Sequence, residues 1–421
     1  TLQVNASNAS WVSFFKNHIL LTLRKDWVTP NQTYKAGSLL ASELTAYLDG
    51  KRDLSVLFSP GKRTSLDDFS STKNYLLINV LDNVRNRLIS VRKEGDRWIQ
   101  EDLNSPGLGT VSAWGVDSET SDDYWMTVTD FLTPASLYLG SLHTGDQRLI
   151  KSQPGFFATK GLKIDQMEAI SKDGTRVPYF MVSKEGMALN GQNPTLLYGY
   201  GGFEISMLSS YRATTGISWL ENGGVYVLAN IRGGGEFGPR WHQAALKENR
   251  QRAYDDFIAI AEHLIERNVT TPRHLGIRGG SNGGLLMGNM IVQRPDLFKA
   301  VVCQVPLLDM KRFNKLLAGA SWMGESGNPD LPEEWAFLQK YSPYQLVESA
   351  TKYPRVLFTT STRDDRVHPG HARKMVAKMT NQGHDVLYYE NMEGGHGGAS
   401  DNPQRAFVEA MIHTFLWKEL R

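Results

Sequence analysis

The run Gly279-Gly280-Ser281-Asn282-Gly283-Gly284 constrains this chain more than any other segment. It is the sequence's single G-x-S-x-G. It stands between a short strand, Leu275-Gly276-Ile277-Arg278, and a helix reading from Gly284 to Gln293 that stops at Arg294-Pro295. The glycines permit a tight strand-to-helix turn that lifts the Ser281 hydroxyl out of the sheet edge. The helix N-terminus behind it favours developing negative charge. Glycine-rich turns between strand and helix are common, but this one has the flanking elements of a nucleophile elbow.

The surrounding sequence has the grammar such a turn needs. After Gly155, short apolar runs alternate with helical stripes: Thr195–Tyr198, Val225–Ala229, Leu275–Arg278, Val301–Val305, Val356–Thr360 and Val386–Tyr389 read as strands. Phe257, Ile258, Ala261, Leu264 and Ile265 form a helical stripe within 253–268, and Pro403–Trp417 reads as a closing amphipathic helix. This order predicts an α/β domain, a mostly parallel sheet with helices on both faces. The earlier part repeats itself instead. Ser59-Pro60-Gly61, Ser105-Pro106-Gly107 and Gln153-Pro154-Gly155 recur at spacings of 46 and 48 residues, each about ten residues after a glycine turn (Gly50, Gly95, Gly145). Short β-type runs flank those turns, so the period reads as three β-propeller blades, with three hairpins of a β-sandwich as the alternative. Length agrees, since 421 residues suggest two or three domains. The predicted division is 1–155, all-β, and 156–421, α/β.

Composition narrows the chemistry. A net charge of +2 gives no strong field for nucleic acid or an acidic membrane, and no run of about 18 apolar residues marks a spanning helix. The one cysteine, Cys303, excludes an internal disulfide and a cysteine-rich zinc site. No H-E-x-x-H, Walker loop or dinucleotide fingerprint occurs, so neither metal nor organic cofactor is expected. No basic-then-apolar signal pattern opens the sequence, and a cytoplasmic location is the expectation.

A serine nucleophile needs a base, and the base needs an orienting acid, in the chain order Ser, Asp, His for this type of turn. Acid candidates are Asp364 and Asp365, directly after the strand Val356–Thr360; spacing alone does not separate them. Five histidines follow. His413 lies within the closing helix, His384 precedes a strand, and His368 and His371 sit too near the acid in sequence to face it easily. His396, in Glu393-Gly394-Gly395-His396-Gly397-Gly398, has glycines that let an imidazole swing over the nucleophile, and it is the chosen base. The backbone N–H of Asn282 is one oxyanion donor by the geometry of the elbow. The loop Tyr198-Gly199-Tyr200-Gly201-Gly202-Phe203 offers others, though taken alone such a loop reads as packing.

From about residue 75 onward the chain resembles the prolyl oligopeptidases, serine peptidases with an α/β-hydrolase domain and a seven-bladed propeller. The resemblance is dense in Tyr198–Phe203, Ala229-Asn230-Ile231-Arg232-Gly233-Gly234-Gly235-Glu236, Gly279–Gly284, Arg294-Pro295-Asp296-Leu297-Phe298, Tyr341-Ser342-Pro343-Tyr344 and Asp364-Asp365-Arg366-Val367. It implies a triad of Ser281, Asp364 and His396, which settles the aspartate. It promotes Tyr200 to second oxyanion donor, and gives Arg366 the substrate carbonyl before the specificity residue. Trp322 would stack on a proline ring, with Phe203 and Val367 as further walls; a flat aromatic surface suits a pyrrolidine that offers no polar partner.

One stretch departs from the pattern. Trp322-Met323-Gly324-Glu325-Ser326-Gly327-Asn328-Pro329 has Ser326 where proline-specific members usually carry tyrosine, and Glu325 looks like the acidic residues with which the related oligopeptidase B branch holds Arg or Lys. The expectation is an endopeptidase acting on short peptides after proline. The alternatives are cleavage after Arg or Lys, acyl-peptide or ester hydrolysis, and a non-catalytic propeller that binds a partner. Three repeats against the family's seven imply roughly 190 further residues. The chain is therefore expected to be a piece of a longer product, or to pair with the other blades as a separate chain, or to associate through an exposed blade edge. An open site with weaker exclusion of large substrates is the corollary.

Overall fold

The computed structural model describes residues 9–105 and 109–421, so the Pro106-Gly107 of the second repeat closure lies outside the described residues. The chain divides into two compact units.

The first unit holds three four-stranded antiparallel sheets whose strands lie side by side in chain order, with a two-stranded ribbon, Trp27–Val28 and Thr33–Tyr34, between the second and third strands of the first. They comprise Ala9–Phe15 (β1), His18–Leu23 (β2), Leu39–Glu43 (β3) and Ser55–Phe58 (β4); Thr64–Ser71 (β5), Tyr75–Asp82 (β6), Arg85–Glu94 (β7) and Arg97–Leu103 (β8); and Thr110–Gly115 (β9), Asp123–Thr129 (β10), Ser136–Ser141 (β11) and Gln147–Ser152 (β12). The sheets end at Phe58, Leu103 and Ser152, just before the three repeat closures, as blades rather than as loose hairpins. Strand alternation explains the stacking. Leu76, Ile78 and Val80 of β6 pack with Leu20, Leu39 and Leu57 of the first sheet, whereas Leu77 and Leu88 pack with Val111, Tyr124 and Met126 of the third. β6 is thereby buried on both faces from Leu76 to Leu81, an apolar run broken only by Asn79. Among the described residues β1 pairs with β2 alone, and Trp11 and Phe14 are largely exposed. Residues 208–211 and 235–242 also belong to this unit. Thr110 Oγ1 donates to the Ser209 carbonyl at 2.7 Å, and Ser65 Oγ to the Glu236 carbonyl at 3.0 Å.

The second unit is built on one eight-stranded sheet: Leu162–Ile170 (β13), Arg176–Lys184 (β14), Thr195–Tyr198 (β15), Val225–Ala229 (β16), Leu275–Gly280 (β17), Ala300–Gln304 (β18), Arg355–Ser361 (β19) and Val386–Asn391 (β20). Their spatial order is β13-β14-β16-β15-β17-β18-β19-β20, parallel from β16 onward, with the antiparallel hairpin β13–β14 at one edge. Period-two alternation along β17 puts helices on both sides. Leu275 and Ile277 join the core that includes Phe257 and Leu264 of helix Gln251–Glu266 (α1) and Leu285 of helix Asn282–Gln293 (α2). Gly276, pointing the other way, lies against Leu416 and Leu420 of the closing helix Asn402–Leu420. Among the described residues no helix is long and apolar enough to cross a membrane.

Candidate active site

At the carboxyl end of β17 the chain turns into α2 through a single residue, Ser281. Its φ of 61° and ψ of −117° lie where side chains are rarely found, a strain that persists only where neighbours enforce it. The enforcement is visible. Ser281 N–H donates to the Gln304 carbonyl at 3.0 Å, and its own carbonyl accepts from Gly284 and Leu285 at 2.9 and 3.2 Å. A Cβ on Gly279 would collide with the Gly283 carbonyl, so the turn closes only with glycine there. Although Ser281 holds the N-cap position, its hydroxyl caps nothing and remains available. The helix begins at Asn282, the residue immediately after Ser281.

The acid and base sit on the loops after β19 and β20. Asp364 is buried while Asp365 is exposed, which distinguishes two aspartates that spacing left equivalent. His396 Nδ1 lies 2.8 and 3.0 Å from the two carboxylate oxygens of Asp364. The same carboxylate accepts the N–H groups of Arg366 and Val367, both at 2.9 Å, so the acid that orients His396 also shapes the loop carrying two other candidate residues. The competing histidines are engaged elsewhere. Nδ1 of His368 accepts from Gly370 N–H, and Nδ1 of His371 accepts from the amides of Leu308 and Asp309. His384 and His413 bond to the carbonyls of Glu348 and Glu409. Among the described residues no hydrogen bond joins His396 to Ser281; such bonds are often loose before substrate arrives.

Beside Ser281 opens a cavity of about 230 Å³, lined by Tyr200, Phe203, Ile205, Ser281, Asn282, Leu307, Ser321, Trp322, Arg366 and Val367. It thus gathers Tyr200, Phe203, Asn282, Trp322, Arg366 and Val367 around Ser281 from four separate stretches of chain. Ile205, Leu307 and Ser321 join the lining without a signal in the sequence: the first two follow a glycine loop and a strand, and Ser321 precedes Trp322, but nothing in their spacing aims them inward. Burial raises the Tyr200 phenol above the ordinary tyrosine value; the charges of Arg250 and Arg366 and a hydrogen bond with Ser281 oppose the rise. The phenol therefore stays protonated and able to donate.

Glu325 is absent from this lining. Its carboxylate is buried, accepts the Phe203 N–H at 2.9 Å and pairs with Arg250 Nη1 at 3.1 Å. Sequence spacing puts Glu325 close to Trp322 but does not reveal Arg250, 75 residues away, which occupies the carboxylate from within.

Comparison with known proteins adds a family. Residues 210–421 match the model of the prolyl oligopeptidase family, and residues 28–153 that of the prolyl oligopeptidase N-terminal beta-propeller domain. An uncharacterized peptidase of Sinorhizobium fredii is 45% identical over 417 residues, covering 98% of this chain and 57% of the relative. A prolyl endopeptidase of Elizabethkingia miricola is 35% identical over 323 residues, 76% of this chain and 46% of that protein. Among solved structures, a post-proline cleaving enzyme from Rickettsia typhi superposes with a TM-score of 0.93 at 36% identity, covering 99% of this chain and 61% of that one. The chain thus spans under two thirds of the length of each.

Proposed function

This chain belongs to the prolyl oligopeptidase family, and from that premise we propose that it hydrolyses short peptides on the carboxyl side of proline through an acyl-enzyme. The Ser281 Oγ attacks the proline carbonyl carbon while His396 Nε2 takes its proton, and Asp364 holds the Nδ1–H tautomer and the imidazolium that forms. The oxyanion sits between the Asn282 N–H and the Tyr200 hydroxyl. Collapse breaks the C–N bond, and His396 returns the proton to the leaving amine. Water, deprotonated by the same imidazole, then releases the acid and restores Ser281.

The observation that carries this reading is the composition of the cavity at Ser281. Trp322, Phe203, Val367, Ile205 and Leu307 make an apolar enclosure, Arg366 is its one cation, and no carboxylate is among its described lining residues. An arginine or lysine side chain would meet Arg366 and find Glu325 already neutralised by Arg250. A pyrrolidine ring would gain apolar contact and leave no polar group unpaired. The relatives named prolyl endopeptidase support the same choice.

The test compares chromogenic peptides ending in proline or arginine, with fluorophosphonate labelling of Ser281 in parallel. The proposal expects labelling and a proline preference. Arginine preference would return Glu325 to the substrate, and absence of labelling in folded protein would favour a binding role.

A further inference from the structure

The Arg250 side chain is an anomaly on elementary grounds. It is 1% exposed, and it occupies the N-cap of α1, where the helix dipole disfavours a cation. Burial opposes its charge, yet Tyr254 and Glu325 outweigh that and hold the guanidinium more firmly protonated than usual. A buried charge persists when its partners need it, so the question is what those partners do.

Two arms leave the guanidinium. Nη2 donates to Asn282 Oδ1 at 2.6 Å, and the same amide's Nδ2 donates to the Tyr200 carbonyl at 2.8 Å. Nη1 donates to Glu325 Oε1 at 3.1 Å, and that oxygen accepts the Phe203 N–H at 2.9 Å. The arms end on either side of Gly201-Gly202, one on the carbonyl of the oxyanion tyrosine and one on the amide of the pocket-wall phenylalanine. Between them the loop lies flush: a Cβ on Gly202 would sit 2.5 Å from Asn282 Nδ2 and 3.1 Å from Arg250 Nη2. Phe203 and Glu204 both take positive φ, 57° and 59°, a conformation that side-chain-bearing residues hold only under constraint. Glu325 also belongs to the one-turn helix Met323–Ser326 that directly follows Trp322.

We propose that Arg250 is a positioning residue that sets the oxyanion donor Tyr200 and the specificity walls Phe203 and Trp322 as one unit, through Asn282 and Glu325. Arg250 touches no reacting atom. It acts by fixing the loop 200–203 against the residue after the nucleophile, so that oxyanion stabilisation and proline selection are set by the same cation. This rests on the peptidase reading above.

The test uses the full chain with Arg250→Lys, Arg250→Met, and Arg250→Met combined with Glu325→Gln, the last removing the charge that a lone Met would leave unpaired. Thermal unfolding is measured first, and kinetics follow well below each midpoint on matched proline and alanine p-nitroanilides, with the rate of fluorophosphonate labelling at Ser281. The folded double variant should lose kcat by on the order of 100-fold, as for small misplacements of a reacting geometry. Its preference for proline over alanine should fall several-fold, and labelling should slow by about tenfold or more. Arg250→Lys, with a single donor head, should fall between. If Arg250→Met alone does not fold, the other two variants carry the test. A folded double variant with kcat and proline preference within about threefold of the parent would overturn the proposal and leave Arg250 a mere counter-charge. A parent that labels yet does not prefer proline defeats the specificity reading alone, because labelling rates still report on Arg250. A parent that neither labels nor cleaves defeats both.

Discussion

Replacing Tyr200 by Phe deletes one oxygen from the cavity and keeps the ring that helps enclose it. In the proposed mechanism two donors face the developing oxyanion, the Asn282 N–H and this phenol, and the substitution leaves one. Burial holds the phenol protonated, so the full strength of an O–H donor is lost at neutral pH. A pre-placed donor of this kind is worth ~2.7–4 kcal/mol, a fall in kcat of roughly 10²- to 10³-fold. The ground-state carbonyl bonds it less strongly than the tetrahedral oxyanion does, so KM should change little. The ring that lines the cavity is retained, so the variant can be assayed as folded protein. Steady-state kinetics on a proline p-nitroanilide, with stopped-flow detection of acylation, give the partition. A variant that keeps kcat and raises KM would refute the reasoning and make Tyr200 a packing residue.

Ser281→Ala should remove acyl-enzyme formation and lower turnover by several orders of magnitude with an unchanged unfolding curve; residual activity above a few per cent would mean another nucleophile. Trp322→Ala should cost proline substrates ~1–3 kcal/mol relative to alanine ones, read from kcat/KM ratios, and an equal loss on both would assign Trp322 to general packing. Glu325→Gln leaves the Arg250 charge unmatched in the interior and should lower the unfolding free energy by about 3–5 kcal/mol in urea titrations; a neutral effect would mean that the pair is solvated. Burial pushes the His371 imidazole down to about 4, with Asp309 opposing and Lys374 reinforcing. The folded pKa lies below the unfolded one of about 6.5, so this contribution is complete above pH 6.5 and declines as pH falls towards 4; His371→Gln should flatten that part of the stability profile, and an unchanged slope would exclude His371 as its source.

The features legible in the sequence are those set by local spacing. The elbow at Ser281, the loop order that places Asp364 and His396 after successive strands, and the 46–48 residue period of the blades are all short-range patterns. The edge hairpin β13–β14 is missed in the sequence analysis, because β14 is a continuous apolar run, Val177–Val182, without alternation and with Pro178 inside it. Segments 208–211 and 235–242 read as loops of the α/β part, yet they bond to blade residues, a pairing that depends on contacts more than 90 residues apart in sequence. Glu325 shows the limit best. Its residue type and its position after Trp322 suggest a carboxylate for a basic substrate, and only the buried guanidinium of Arg250 reveals that the charge is already matched.

The central claim is that Ser281 takes an acyl group whose carbonyl belongs to proline. Acid-quenched single-turnover reactions with matched proline and arginine peptide esters, read by intact mass and peptide mapping, address it directly. The account predicts an adduct on the peptide containing Ser281 that forms at least about tenfold faster from the proline ester. Acylation at another residue, or faster acylation from the arginine ester, would contradict it.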